Sequence, residues 1–158
     1  LDGSGPVQRQ LTNGAEIDVS PTWSPDGRQI AFVSSRTGTP QVYVMGADGS
    51  SPRRITFQGG YNTSPCWSPK GDLIAYVGRE LGLNVFTLNL KTNQVRQITS
   101  GGNNEDPSFS PDGRYLVFSS TRVGKPALFL ADTTGEHQVQ LTTSGGDDTS
   151  PSWSPRLP

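Results

Sequence analysis

Apolar positions in this chain come in short blocks separated by polar turns. Ile30-Ala31-Phe32-Val33, Ile74-Ala75-Tyr76-Val77 and Leu116-Val117-Phe118 form one series. Val42-Tyr43-Val44-Met45, Asn84-Val85-Phe86-Thr87 and Ala127-Leu128-Phe129-Leu130 form a second. Continuous runs of this length, bounded by Gly, Pro, Asp and Asn, fit strands covered on both faces. No stretch repeats apolar residues with a helical period, so the pattern predicts an all-β fold. No apolar run exceeds five residues, which is too short to cross a membrane as a helix.

The blocks recur in phase. Ser20-Pro21-Thr22-Trp23-Ser24-Pro25-Asp26-Gly27 returns as Ser64-Pro65-Cys66-Trp67-Ser68-Pro69-Lys70-Gly71 and as Asp106-Pro107-Ser108-Phe109-Ser110-Pro111-Asp112-Gly113. A fourth copy runs from Ser150-Pro151-Ser152-Trp153 to Ser154-Pro155. The first prolines are 44, 42 and 44 residues apart, the length of one four-stranded propeller blade. A second motif, Arg9-Gln10-Leu11-Thr12, returns as Arg53-Arg54-Ile55-Thr56, Arg96-Gln97-Ile98-Thr99 and Val139-Gln140-Leu141-Thr142. Each repeat then reads as four strands. The inner one starts at a proline, where a missing N–H does least harm, and a Ser-Pro-Asp-Gly type I turn follows it. Asp48-Gly49, Thr92-Asn93 and Thr134-Gly135 supply turns before the outer strand.

A single sheet of this kind would leave its aromatic face in water. The residues at 23, 67, 109 and 153 are expected to wedge between neighbouring blades, sharing stability along the array. Three complete blades are expected at about 20–56, 64–99 and 106–142, with a lone outer strand at 7–12 and a lone inner strand at 150–154. A closed propeller needs at least about four blades. The chain therefore reads as part of a longer propeller whose other strands lie upstream, or as an open array with exposed edges.

Composition narrows the chemistry. The net charge of −1 offers no pull toward nucleic acid or anionic lipid. Cys66 has no second cysteine to pair with, and with His137 it makes no zinc ligand set. His137 follows a turn and is read as solvated. There is no Gly-x-Ser-x-Gly elbow and no Walker loop. The Gly-Gly pairs at 59–60, 101–102 and 145–146 are phase-locked turn devices. The crossings from one blade to the next carry Glu16, Asp18, Glu105, Asp106, Asp147 and Asp148 and no basic residue. The turns opening at the same end carry Arg36, Arg79, Arg122 and Lys125. This reads as an acidic mouth within a basic rim, suited to docking a protein or to a channel cation. Oxygen-rich sites suit Ca²⁺, with Asp18, Glu105 and Asp148 as candidates. No cofactor is otherwise expected. Tyr61 is the aromatic placed to anchor a partner.

The pattern Pro-x-Trp-Ser-Pro-Asp-Gly, Ile-Ala-Phe-x-Ser, Val-Tyr-Val-Met and Arg-x-Ile-Thr resembles the TolB family over essentially the whole chain. The resemblance implies part of a six-bladed propeller, its C-terminal half, in a periplasmic, non-enzymatic scaffold of the Tol–Pal system, which serves outer-membrane integrity and cell division. It implies the lipoprotein Pal as partner, with TolA contacted by a domain absent here. The partner positions it implies are Ile17, Asp18, Val19, Tyr61, Asn62, Thr63, Asn104, Glu105, Asp148 and Thr149. Similar repeats also occur in gating propellers of prolyl-oligopeptidase-like hydrolases and in small-ligand sensors, which remain the alternatives.

Overall fold

The computed structural model of the chain describes residues 9–143 and 145–154. Val7 and Gln8 of the expected outer strand, and Pro155 of the last motif, lie outside the described residues. Twelve strands form three four-stranded antiparallel sheets with no helix among the described residues. The first blade is β1 (Asp18–Trp23), β2 (Gln29–Ser34), β3 (Gln41–Gly46) and β4 (Arg53–Arg54). The second is β5 (Asn62–Trp67), β6 (Leu73–Arg79), β7 (Leu83–Asn89) and β8 (Val95–Gln97). The third is β9 (Asn104–Phe109), β10 (Tyr115–Ser120), β11 (Ala127–Asp132) and β12 (Gln138–Gln140). In each, spatial order follows chain order.

The inner strands begin two residues before the expected serine or aspartate, and the proline sits within the strand. The reason is a bulge. In the first blade Val19 pairs with Val33 and Thr22 with Ala31, so three steps on β1 face two on β2. The same shift lies between Thr63 and Cys66, and between Glu105 and Ser108. The extra residue is Ser20, Ser64 or Asp106, held at φ 53°, 51° and 54°. A bulge leaves one residue outside the ladder, so the proline next to it costs no hydrogen bond. Ser150 has the same backbone, φ 50°. The segments expected as lone strands, however, join no ladder among the described residues, since a strand is defined by a hydrogen-bonded neighbour.

The turns follow the sequence. Gly27 N–H donates to Ser24 O at 2.9 Å, and Gly71 and Gly113 repeat the bond to Ser68 and Ser110. The serine hydroxyl in the first and third turns donates to Asp26 or Asp112 and accepts from the backbone N–H of Gln29 or Tyr115.

Packing between blades makes the core. Trp67 joins Ile74, Tyr76, Phe86 and Leu88 of the second blade to Ala31, Val42, Val44 and Ile55 of the first. Phe109 joins Leu116, Phe118 and Phe129 of the third blade to Ala75, Val85 and Ile98 of the second. Trp67, 8% exposed, removes area worth at most about 4–6 kcal/mol. Trp23 occupies the same slot yet is 57% exposed, because no blade packs on that side of β1 among the described residues. There Leu11 lies against Ile30, Phe32, Tyr43 and Met45. Its position repeats a relation inside the array. A Cβ on Gly135 would stand 2.8 Å from Ile98 O, and one on Gly49 would stand 2.7 Å from Leu11 O. Leu11 thus occupies, beside the first blade, the place that Ile98 takes beside the third.

Candidate docking face

Inner strands start, and outer strands end, at the same end of every blade. The three bulges and Ser150, which shares their backbone, converge there on an open cleft of about 400 Å³ whose wall includes Ser20, Ser64, Cys66, Asp106 and Ser150. Ser150 Oγ donates to Asp106 Oδ2 at 3.0 Å, and Trp153 Nε1 donates to Ser108 O at 3.1 Å, tying the fourth repeat to β9. Burial pushes the Cys66 thiol up, outweighing the backbone of Phe109, so it stays protonated at neutral pH.

The ten sequence-implied partner positions fall into two groups. Ile17, Val19, Glu105 and Thr149 are exposed, and Tyr61, Thr63 and Asp148 are half-buried. Asp18 is held by Arg36 at 3.3 Å. Asn62 and Asn104 are 2% and 0% exposed. Asn62 Nδ2 donates to Gln41 Oε1 and to Gln58 O, both at 2.8 Å. Thr56 Oγ1 donates to the same Gln41 oxygen. One blade on, Asn104 Nδ2 and Thr99 Oγ1 both donate to Asn84 Oδ1, at 3.2 and 3.3 Å. These asparagines therefore fasten each blade to the next, burying no unpaired amide donor.

The expected basic rim is partly folded inward. Arg36 lies 5.3 Å from the Phe32 ring and 4.9 Å from Tyr43; Arg122 lies 5.4 Å from Phe118 and 4.6 Å from Phe129. Arg122 also donates to Ser120 Oγ and Asn104 Oδ1. Burial lowers its pKa, and the cation is held by ring faces and acceptors rather than water. Arg79 stacks on Tyr61 at 4.3 Å. The acids do not assemble into a group able to hold a metal ion among the described residues. His137 stands apart from this face and is not merely solvated. Its Nδ1 lies 2.7 Å from Asp132 Oδ2, and hydrogen bonds from Thr134 and His137 bring the Asp132 pKa to about 2.

Sequence reasoning missed Phe57, Leu81 and Val123, all exposed at this end of the blades. The signal was present in Glu80-Leu81-Gly82 and Arg122-Val123-Gly124, where a large apolar residue takes the turn position that Thr37 fills in the first blade. Leu81 is fully exposed and held at φ 48°, a conformation costly for a leucine.

Three antiparallel blades whose inner strands share one cleft, with exposed apolar loops at one end, define a β-propeller scaffold. The family described as the TolB beta propeller domain matches residues 1–157, and the chain belongs to that family. It is 41% identical over 127 residues to the Tol-Pal system protein TolB of Bordetella parapertussis, covering 80% of this chain and 29% of that protein. The chain thus spans less than a third of the length of that curated relative. The crystal structure of TolB from Acinetobacter baumannii superposes with a TM-score of 0.85 at 31% identity, covering 94% of this chain and 38% of that one. A puromycin-hydrolyzing peptidase of Mycobacterium tuberculosis superposes at 0.71 with 19% identity, covering 93% of this chain and 25% of that one, and shares the fold alone.

Proposed function

We propose that this chain is a non-enzymatic protein-docking segment of a Tol–Pal system, works in the periplasm, and receives Pal on the face where the crossings open. The observation that carries this reading is the set of exposed apolar side chains at that one end: Ile17, Val19, Phe57, Leu81 and Val123. Apolar residues collected on one face beside Tyr61 and Glu105 make a surface that gains by being covered. The relatives' name, Tol-Pal system protein TolB, supports the system; Pal as the partner, and a role in envelope integrity and division, rest on the family resemblance alone.

The test uses Leu81→Asp and Glu105→Lys, measured by calorimetric titration with purified Pal. Asp tolerates a positive φ better than Leu, so Leu81→Asp should leave the thermal transition unchanged or slightly higher. Both variants should weaken binding, each by about tenfold, the scale of a 1.4 kcal/mol contact. Wild-type affinity in both would remove this face from the interaction.

A further inference from the structure

The three blades carry one recurring device, and the middle blade lacks its key part. In the first blade the Phe32–Tyr43 ring pair, with centroids 5.9 Å apart, is covered by the Arg36 guanidinium. Arg36 Nε donates to Ser34 Oγ and Nη2 to Asp18. In the third blade the Phe118–Phe129 pair, 6.0 Å apart, is covered by Arg122, bonded to Ser120 and Asn104 in the same manner. The strand register places Gly78 where these serines stand, opposite Asn62 as Ser34 is opposite Asp18 and Ser120 opposite Asn104. Two residues on, the place of Arg36 and Arg122 is taken by Glu80.

The rings remain. Tyr76 and Phe86 stack at 5.6 Å and 18°, but among the described residues no guanidinium lies over them. The space beside them is a niche of about 10 Å³ whose lining includes Asn62, Tyr76, Gly78, Arg79, Glu80 and Phe86. That volume admits one water-sized group without rearrangement. Asn62 Oδ1, whose equivalent accepts from Arg122, lies 3.0 Å from where a Cβ on Gly78 would stand. Asn62 Nδ2 is already committed to Gln41 and Gln58, which leaves this oxygen as the side chain's acceptor toward the niche. The Glu80 carboxylate is close enough to the Tyr76 hydroxyl to oppose its ionisation. Arg79, the one cation in the lining, has its guanidinium on the Tyr61 ring at 4.3 Å rather than on the Tyr76–Phe86 pair.

We infer that the Tyr76–Phe86 niche is a receptor for the cationic head of a basic side chain supplied from outside the chain. A carboxylate, an amide oxygen and two ring faces converge where the sister blades seat their own arginine. A cation there gains from the ring faces and from Glu80 in a partly water-excluded place. The niche as it stands suits a compact ammonium, whereas a planar guanidinium needs the exposed Glu80 side chain to move aside. The niche opens beside Tyr61 and Leu81, so it deepens the docking reading and rests on it only for who supplies the cation.

The niche is tested without any partner protein. The 158-residue chain, isotopically labelled, is titrated with methylguanidinium chloride and separately with methylammonium chloride, each against sodium chloride at equal ionic strength. At least one organic cation should give saturable amide shifts at Gln58–Asn62 and Gly78–Glu80, with dissociation constants on the order of millimolar for a single small cation. The better of the two identifies an arginine-like or a lysine-like head. Glu80→Arg, which restores the residue type of the other blades without adding a Cβ at Gly78, where the Phe86 ring would stand 2.9 Å away, should abolish those shifts. Should that variant fail to fold, Glu80→Gln should still weaken binding by about threefold or more, the scale of a lost exposed charge contact. No saturable shift with either cation, or unchanged shifts in the variants, would overturn the assignment. Loss of Pal binding elsewhere on the face would leave this result untouched.

Discussion

The Asn62 side-chain amide reaches back 21 residues to Gln41 Oε1 at 2.8 Å, crossing the boundary between the first and second blades. Thr56, at the end of the first blade, donates to the same oxygen while its own hydroxyl accepts the Val42 N–H at 2.9 Å. Asn104, Asn84 and Thr99 repeat the clasp one blade later. Each clasp pins the last strand of one blade, its third strand and the first strand of the next.

Removing a clasp should loosen the array more than removing an exposed loop residue. Asn104→Ala leaves Asn84 Oδ1 with one donor fewer and Arg122 Nη2 without its acceptor, while the Ser120 and Gln138 bonds of Arg122 remain. The expected cost is about 2–3 kcal/mol, since a buried polar group is left short of partners. Asn103→Ala, on the exposed neighbour, should cost under about 1 kcal/mol. Urea unfolding of both variants checks the ranking. Equal midpoints would show that the clasp is decorative.

The aromatic slot makes a second contrast. Trp67 and Trp23 sit at equivalent positions, one wedged between blades and one open to solvent. Trp67→Ala should cost about 3–5 kcal/mol, whereas Trp23→Ala should cost under about 1. Trp67→Phe should be far milder than Trp67→Ala. The indole N–H of Trp67 is buried without a partner, so its loss offsets part of the lost ring volume, and Phe109 already fills the equivalent slot. Thermal melts of the three variants provide the comparison.

Titration should bracket the stable range. Hydrogen bonds from Ser110 and Arg114 hold Asp112 well below the usual carboxylate range. Those from Thr134 and His137 hold Asp132 at about 2, against an ordinary 3.8. Between these values the unfolded chain binds more protons than the folded one. Their contribution is therefore present above 3.8 and fades as the pH falls toward about 2. At the other limit, burial and then the Glu80 charge raise Tyr76 from 10.0 to about 12. The protonated phenol is favoured in the folded chain, so this contribution is full below 10.0 and is lost as the pH climbs toward 12. Melting temperature against pH should be level through neutrality and fall at both ends, with Tyr76→Phe flattening the alkaline limb. A Tyr76→Phe curve superposing on the wild type there would refute the assignment.

Much of this was legible because a repeat reports its own phase. Four copies of the octapeptide placed the blades, and the alternation of apolar blocks with Gly and Asp turns placed the strands. What stayed hidden depends on what lies next door. Trp23 and Trp67 share a motif, and nothing local distinguishes a wedge from an uncovered ring. Asn62 and Asn104 looked like loop polars because an amide carries no mark of burial; their role appears once the neighbouring Gln41 and Asn84 are in place. Arg36 and Arg122 read as rim charges since a flexible side chain can fold back over rings as easily as it can extend. The prolines marked the right strands at the wrong point, because a bulge lets a residue without an N–H sit inside a ladder.

Leu11 resting beside Gly49 as Ile98 rests beside Gly135 means that these two seams of the array are cut to a common gauge. A unit of 42 or 44 residues, spliced in or taken out at equivalent positions, meets on both sides the surfaces it would have met before. Such a chain can lengthen or shorten by whole modules without inventing a new joint, leaving its surface loops free to diverge.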